Sequence, residues 1–394
     1  MIKKTKYLSF LFVITLLFLS ACSTSEGSGT EASSKDSNDE DRAALIDKYE
    51  TTEELYEKAK KEGEVVIYSA TSAGEDVGLA FEEEYPGVKA VVTKVSDADI
   101  LERVKREHES GINDVDVIFG KGTNGSWVND LLADGVLYDY KPKEITKNMA
   151  EPYNNYEGLG LISEIITVIY NTDAYDEAPI DNWWDLTTPE WEGKVLMKDP
   201  LSAPDIQALF MAMVKHADEM EAAYKDKFNE DIELNNTENA GYEFIKRLLE
   251  NDAILMSSMG DSVDAVSESS QDKSPVVIAS TVKLRDVVND GATIDMSPTL
   301  SPKLSVPGTS KVFLVNEVSN ISAAKLFIRF MSGGEDGTGE GFDSFNYPGT
   351  FATRTDIAQD NWLPSLSELN LWEEDENYNY ENADEMRDFL LKHQ

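Results

Sequence analysis

The sequence predicts a two-lobed α/β protein, each lobe a mixed β-sheet flanked by helices. Three observations predict it. From residue 51 onward, short apolar runs rich in β-branched residues alternate with amphipathic helical patterns. A long apolar run at 162–171 is suited to crossing from one lobe to the other. Beyond the N-terminal segments about 350 residues remain, enough for two domains. Hydrophobic residues at 41% and aromatics at 9% mark a globular chain.

The first residues address the compartment. Lys3, Lys4 and Lys6 precede an apolar run at 7–19. A bilayer span takes roughly 20 apolar residues, so residues 1–21 read as a cleaved signal peptide rather than a transmembrane helix. The run ends in Leu19-Ser20-Ala21-Cys22, which resembles the bacterial lipobox; that resemblance implies lipid on Cys22 and an anchor on the outer face of the cell membrane. Cys22 is the single cysteine, so no intramolecular disulfide can form. Residues 22–45 then read as a flexible polar tether. Formal charge is -40, and loss of residues 1–21 removes three lysines and leaves -43. Such acidity excludes nucleic acid as a partner, and basic adhesion to anionic lipid.

The elements follow in order. Leu55 and Ala59 place a short helix that stops at Gly63, and 64–68 is a buried strand. Val77, Ala80 and Phe81 share one helical face; 88–95 is a second strand and 99–108 a second helix. Residues 115–119 form a third strand, and 127–133 a third helix stopped by Gly135. Repetition of this kind implies right-handed crossovers and a largely parallel sheet. Ligands of open α/β sheets lie beyond the carboxyl ends of the strands, which singles out the loops at 69–72 and 120–126. After the long strand come a Pro-punctuated cluster of Trp183, Trp184, Leu186 and Trp191, a strand at 194–197, and helices at 206–216 and 241–249. Strands at 276–279 and 312–315 follow, the latter returning to the first lobe, and then a helix at 323–331 with Leu326, Phe327 and Phe330 inward. There is no internal repeat. The acidic stretch 373–385 reads as solvated surface before the last helix.

Two stretches carry a family resemblance. One is Val168-Ile169-Tyr170-Asn171-Thr172-Asp173 with Trp184-Asp185-Leu186-Thr187-Thr188-Pro189-Glu190-Trp191-Glu192-Gly193-Lys194-Val195; the other is Ser322-Ala323-Ala324-Lys325-Leu326-Phe327-Ile328-Arg329-Phe330-Met331-Ser332. With Tyr68-Ser69-Ala70 after the first strand, they resemble the ferric-iron-type branch of the family 1 extracellular solute-binding proteins of ABC importers. The resemblance runs from Gly63 to about Asp356. It implies a periplasmic-binding-protein-like (type II) fold whose lobes close on a ligand, with hinges near 161–166 and 305–311. Lobe 1 is then 46–162 plus 306–345, lobe 2 is 163–305, and 346–394 is a C-terminal helical segment closing on the lobes. It also implies a small-molecule solute, a membrane permease as partner, a monomer, and no catalysis.

The family's iron chemistry does not transfer residue by residue. Its paired tyrosines would follow the strand at 276–279, where Ser280-Thr281-Val282-Lys283-Leu284-Arg285 stands; Lys121 stands where a Glu would sit. Ferric iron wants hard anionic oxygen donors. The same loops suit an anion such as a phosphorylated or phosphonate-like solute. Ser69, Ala70, Thr71 and Ser72 form a strand-to-helix turn with exposed N–H groups, Gly120, Lys121 and Gly122 face it, and Ser202, Ser258, Ser262, Thr281 and Lys283 come from the other lobe. Ser202 and Ser262 also suit helix caps. The alternatives are ferric iron held by tyrosines such as Tyr347 or Tyr68, and a surface hydrolase using Ser262. No metal site and no cofactor are expected, since no His/Cys cluster has ligand spacing. Gly120 to Gly125 spells G-x-G-x-x-G but lacks the strand-end acid of a dinucleotide site; its glycines are read as allowing close approach to a ligand. The tryptophans are read as packing between lobes rather than as a sugar platform.

Overall fold

A computed structural model describes residues 42–269, 274–359 and 362–394. The leader, Cys22 and the tether as far as residue 41 lie outside these residues.

Helix α1 (Thr52–Glu62) opens with a capping box between Thr51 and Glu54 and stops at Gly63, whose φ of 88° suits only glycine well. Strand β1 (Glu64–Ser69), α2 (Ala73–Glu84), β2 (Lys89–Lys94), α3 (Asp97–Glu109) and β3 (Val117–Gly120) follow, with β1 parallel to both β2 and β3. The predicted helix at 127–133 is present as a wider turn, in which the Ala133 N–H bonds the Val128 carbonyl at 3.0 Å. Next come β4 (Leu137–Tyr138), the long β5 (Leu159–Asn171), β6 (Val195–Lys198), α4 (Pro204–Lys215) and α5 (Ala217–Phe228). Helix α6 (Ala240–Glu250), β7 (Ile254–Met256), α7 (Met259–Ser267), β8 (Val276–Ser280), β9 (Ile294–Met296) and β10 (Pro307–Val315) lead to α8 (Ile321–Met331), β11 (Phe351–Ala352) and α9 (Glu376–His393).

The main strand order is β2-β1-β3-β10-β5-β8-β6-β7. The sheet is mixed rather than largely parallel, because β10 runs antiparallel to both β3 and β5. Strand β5 belongs to both halves: residues 159–165 pair with β10, and 166–169 pair with β8. Its length and apolarity follow from that position, since a strand covered throughout has no solvated face to alternate with. The first half-sheet buries Tyr68, Ile100, Val104, Ile118, Trp127, Leu131 and Phe313 on one face. On its other face Phe81 of α2 meets Phe327 and Phe330 of α8 edge-on, at 5.2 and 5.6 Å.

Beside the second half-sheet, α5 and α6 pack against Trp183 and Trp184, both fully buried. Their indole N–H groups are satisfied locally, by the Lys303 carbonyl at 2.9 Å and the Met220 carbonyl at 2.8 Å. These tryptophans are core of that half, and neither lines the cavity described below.

One buried acid on α6 tests the electrostatics. Glu243 is fully buried and accepts bonds from the Asn235 N–H (2.9 Å), the Thr237 hydroxyl (2.6 Å) and Arg247 Nε (2.7 Å). Burial alone would raise its pKa. The bonds from Thr237, Arg247 and Asn235 outweigh burial and hold it at about 2, below the ordinary 4.5. A folded-state pKa below the unfolded one adds stability above pH 4.5, and that stability is lost as pH falls toward 2. Glu243→Gln is expected to cost about 2–3 kcal/mol at neutral pH and to flatten the acid limb of the stability curve, measured by urea unfolding across pH.

Candidate functional site

At the carboxyl end of β3 the chain turns at Lys121 and Gly122, whose N–H groups both bond Asp97 Oδ1 at the start of α3, at 2.9 and 3.1 Å. The Lys121 ammonium reaches across to Glu164 on β5 and to Asp205 Oδ2, in the first turn of α4, at 3.0 Å. Gly308 of β10 leaves room for it, for a Cβ there would lie 3.5 Å from Nζ. Burial would lower the Lys121 pKa, but Asp205 and Glu164 outweigh burial and raise it, so the ammonium stays charged. Asp97 is shifted upward by burial, against the pull of the Gly122 N–H and Lys121.

A second charged group stands beside the first. Lys311 of β10 has a side chain only 2% exposed and pairs with Glu376 at 2.5 Å, below the Tyr156 ring. Glu374 precedes α9 and keeps Oε2 buried without a hydrogen-bond partner. Burial raises its carboxyl to about 7 against the pull of Lys311, and raises Glu376 as well.

Between these groups lies a cavity of about 230 Å³, far more than one water needs. Its polar wall is Asp97, Lys121, Asn124, Glu164, Asp205, Glu374, Glu376 and Asn379, and its apolar wall includes Ile166, Ala208 and Val306. Five carboxylates thus line the wall with one ammonium, Lys121, which bonds two of them, while Lys311 outside the lining pairs with a third.

Helix α9 closes one side and touches both halves. Lys215 of α4 pairs with Asp375, Tyr242 of α6 donates to Glu385 at 2.9 Å, and Tyr380 donates to Asp130 at 2.6 Å. The Gly125 backbone presses on Glu376, where a Cβ would lie 2.3 Å from the Glu376 carbonyl oxygen.

Of the residues predicted for the site, Lys121 alone lines this cavity. The turn after β1 bonds within itself: the Ser69 hydroxyl donates to the Thr71 carbonyl at 2.8 Å and Thr71 Oγ1 accepts from Ala73 N–H, while Ser72 is exposed without a capping bond. Ala70 packs against Gly120, and the glycine motif approaches Asp97, Trp127 and Glu376 rather than a bare ligand surface. Ser202 is exposed and donates to the Asp199 carbonyl at 3.1 Å. Ser258 caps α7, Ser262 donates to the Ser258 carbonyl at 2.8 Å, and Lys283 pairs loosely with Asp286 at 3.6 Å. Thr281 is buried, donating to the Gly349 carbonyl and accepting from Ile165 N–H.

Lys121 is held by two of the five wall carboxylates and Lys311 by a third, so neither ammonium offers surplus positive charge to the expected anion. Among the described residues no group of three His, Cys, Asp or Glu side chains is placed to hold a metal. Tyr68 donates to Glu107 at 2.8 Å and Tyr347 lies under the Arg285 guanidinium, and neither lines the cavity. Ser262, the serine of the hydrolase alternative, is buried and donates to the Ser258 carbonyl.

Sequence reasoning missed the carboxylates. Glu164 carried a readable signal, a lone charge within an apolar crossing strand. Glu374 and Glu376 carried none, since they sit in an acidic run that reads as surface.

Comparison with known proteins fits this architecture. Iron-bound HitA from Pseudomonas aeruginosa is similar in fold, with a TM-score of 0.62 at 13% identity, covering 84% of this chain and 98% of that one. Apo ferric ion-binding protein A of Pasteurella haemolytica gives 0.61 at 17%, covering 84% and 97%. AfuA from Actinobacillus pleuropneumoniae, with fructose-6-phosphate bound, gives 0.60 at 17%, covering 84% and 98%. A search of curated proteins by sequence found no match. Residues 78–370 match the family described as bacterial extracellular solute-binding protein, and a match over that much of the sequence settles membership. The chain belongs to the bacterial extracellular solute-binding proteins.

Proposed function

We propose that this chain is the capture subunit of an ABC importer, tethered outside the cell membrane through Cys22, which closes on a small polar solute and delivers it to a membrane permease. The single observation that carries the reading is the convergence of β3, β5 and α4 on one cavity, through Lys121, Glu164 and Asp205. Groups from both half-sheets meet there, so occupancy and closure are one event. The hinges of that closure are assigned to 161–166 and 305–311, where β5 passes from one half-sheet to the other and its partner β10 begins.

The test fills the cavity. Gly308→Phe puts a ring where Lys121 Nζ now has room, on a strand position whose Cβ meets only ordinary contacts. A solute that binds the folded protein raises its melting temperature by mass action. The expected result is a shift in the unsubstituted protein, lost in Gly308→Phe, with the two solute-free proteins melting within about 2 °C of each other. A shift that persists in Gly308→Phe places the solute elsewhere and sinks the reading.

A further inference from the structure

We infer that the captured solute is a small organic cation, an aliphatic amine whose ammonium is taken by the carboxylates around this cavity. The inference rests on the reading of the cavity as the solute site. Charge is its first support. Five carboxylates line the wall, two paired with Lys121 and one with Lys311, so an added anion meets surplus like charge, whereas an added ammonium relieves it.

Hydrogen-bond demand is the second support, independent of the first. Two buried wall atoms have no partner, Glu374 Oε2 and Asn124 Oδ1, and both are acceptors. An ammonium brings three donors and no acceptor, so it satisfies both; an ionised phosphate group brings acceptors alone, leaves Asn124 Oδ1 orphaned and meets Glu374 only when that carboxyl is protonated. The third support is shape. Ile166, Ala208 and Val306 offer apolar wall that suits methylenes and is wasted on a bare metal ion.

The titration behaviour agrees. Burial raises Glu374 to about 7 and raises Asp97 and Glu376 too, against the pull of Lys311 and Lys121. The groups facing Glu374 are Lys311 and Thr309 on β10, Lys121 beyond β3, Tyr153 and Tyr156 before β5, and Glu376 on its own segment. A bound ammonium favours the ionised form, so amine binding expels a proton and weakens as pH falls through 7. Binding of an anion has the opposite slope.

The experiment is calorimetric titration and melting of the purified protein with 1,4-diaminobutane, n-butylamine, fructose 6-phosphate and methylphosphonate. An amine is expected to bind with proton release and about ten-fold more weakly at pH 6 than at pH 8, as ionisation of one group near neutrality requires. Glu374→Gln is expected to weaken it by about ten-fold or more and to abolish the proton release. The wild-type pH slope keeps the test valid if that variant folds poorly. Failure of both amines to bind at millimolar concentration overturns the inference. A phosphorylated ligand that binds more tightly at low pH, and is lost in Gly308→Phe, also overturns it while leaving the cavity as the solute site. An amine whose binding survives in Gly308→Phe overturns both.

Discussion

Gly125→Val is expected to release the C-terminal helix and to cost the protein its solute, with both half-sheets left folded. Gly125 has a φ of 73°, a region that costs other residues roughly 1–2 kcal/mol. The steric term is larger. The new Cβ would lie 2.3 Å from the Glu376 carbonyl oxygen and 2.9 Å from its carbon, and these are backbone atoms of the first residue of α9. They cannot swing aside as a side chain would, so the start of the helix must move. Glu374, Glu376 and Asn379 then leave the cavity wall, and Lys311 loses its buried partner. The expected signature is amide exchange across residues 376–393 faster by about 100-fold or more, a local destabilisation of about 3 kcal/mol. Hydrogen exchange by mass spectrometry reads it without knowledge of the solute. A helix that stays protected in Gly125→Val would show that the contact yields without displacement.

Trp184→Ala is expected to produce the largest loss of global stability. The ring is fully buried, edge-on to Tyr224 at 5.0 Å and to Phe244 at 5.3 Å. Its removal leaves a void between two helices and strips the Met220 carbonyl of its 2.8 Å bond. Together these cost about 4–5 kcal/mol. At about 2 cal/mol/K per residue, that is a fall in melting temperature of roughly 6 °C. Trp184→Phe keeps most of the volume and loses the N–H, so about 1–2 kcal/mol is expected. The ring does not line the cavity, so solute affinity of the folded variant should hold. Calorimetric melting decides it, and a Trp184→Ala protein that melts with the unsubstituted one refutes the packing account.

Much of the architecture was legible because it is periodic. The apolar β-branched run at 64–68 and the heavy run at 162–171 are strands in the structure, and Leu326, Phe327 and Phe330 are the inward face of α8. Short or polar elements were not legible. Helix α5 carries a mixed face with lysines and acids throughout, and β9 and β11 are two or three residues long, set by their partner β5 rather than by their own sequence. The candidate site was legible only at Lys121. Loop position singled it out, but the partners that determine its charge state come from residues 164 and 205, and no local pattern links those positions. The serines have backbone roles in this structure for a physical reason. A hydroxyl after a strand or before a helix serves the backbone as readily as a ligand, and Ser69, Ser258 and Ser262 all serve the backbone.

The placement of β10 between β3 and β5 sets an order of events in time. During synthesis β1, β2 and β3 emerge early, but the neighbour that covers the open edge of β3 is not made until residues 311–314. Until then that edge offers unpaired N–H and C=O groups, and Ile118 and Trp127 await Phe313. The closing contact spans nearly half the chain, so its entropy is lost before any pairing repays it, which slows folding. A chain released short of residue 307 therefore cannot complete its first half-sheet, and the nascent protein stays open to unfolded-chain partners until synthesis is nearly finished.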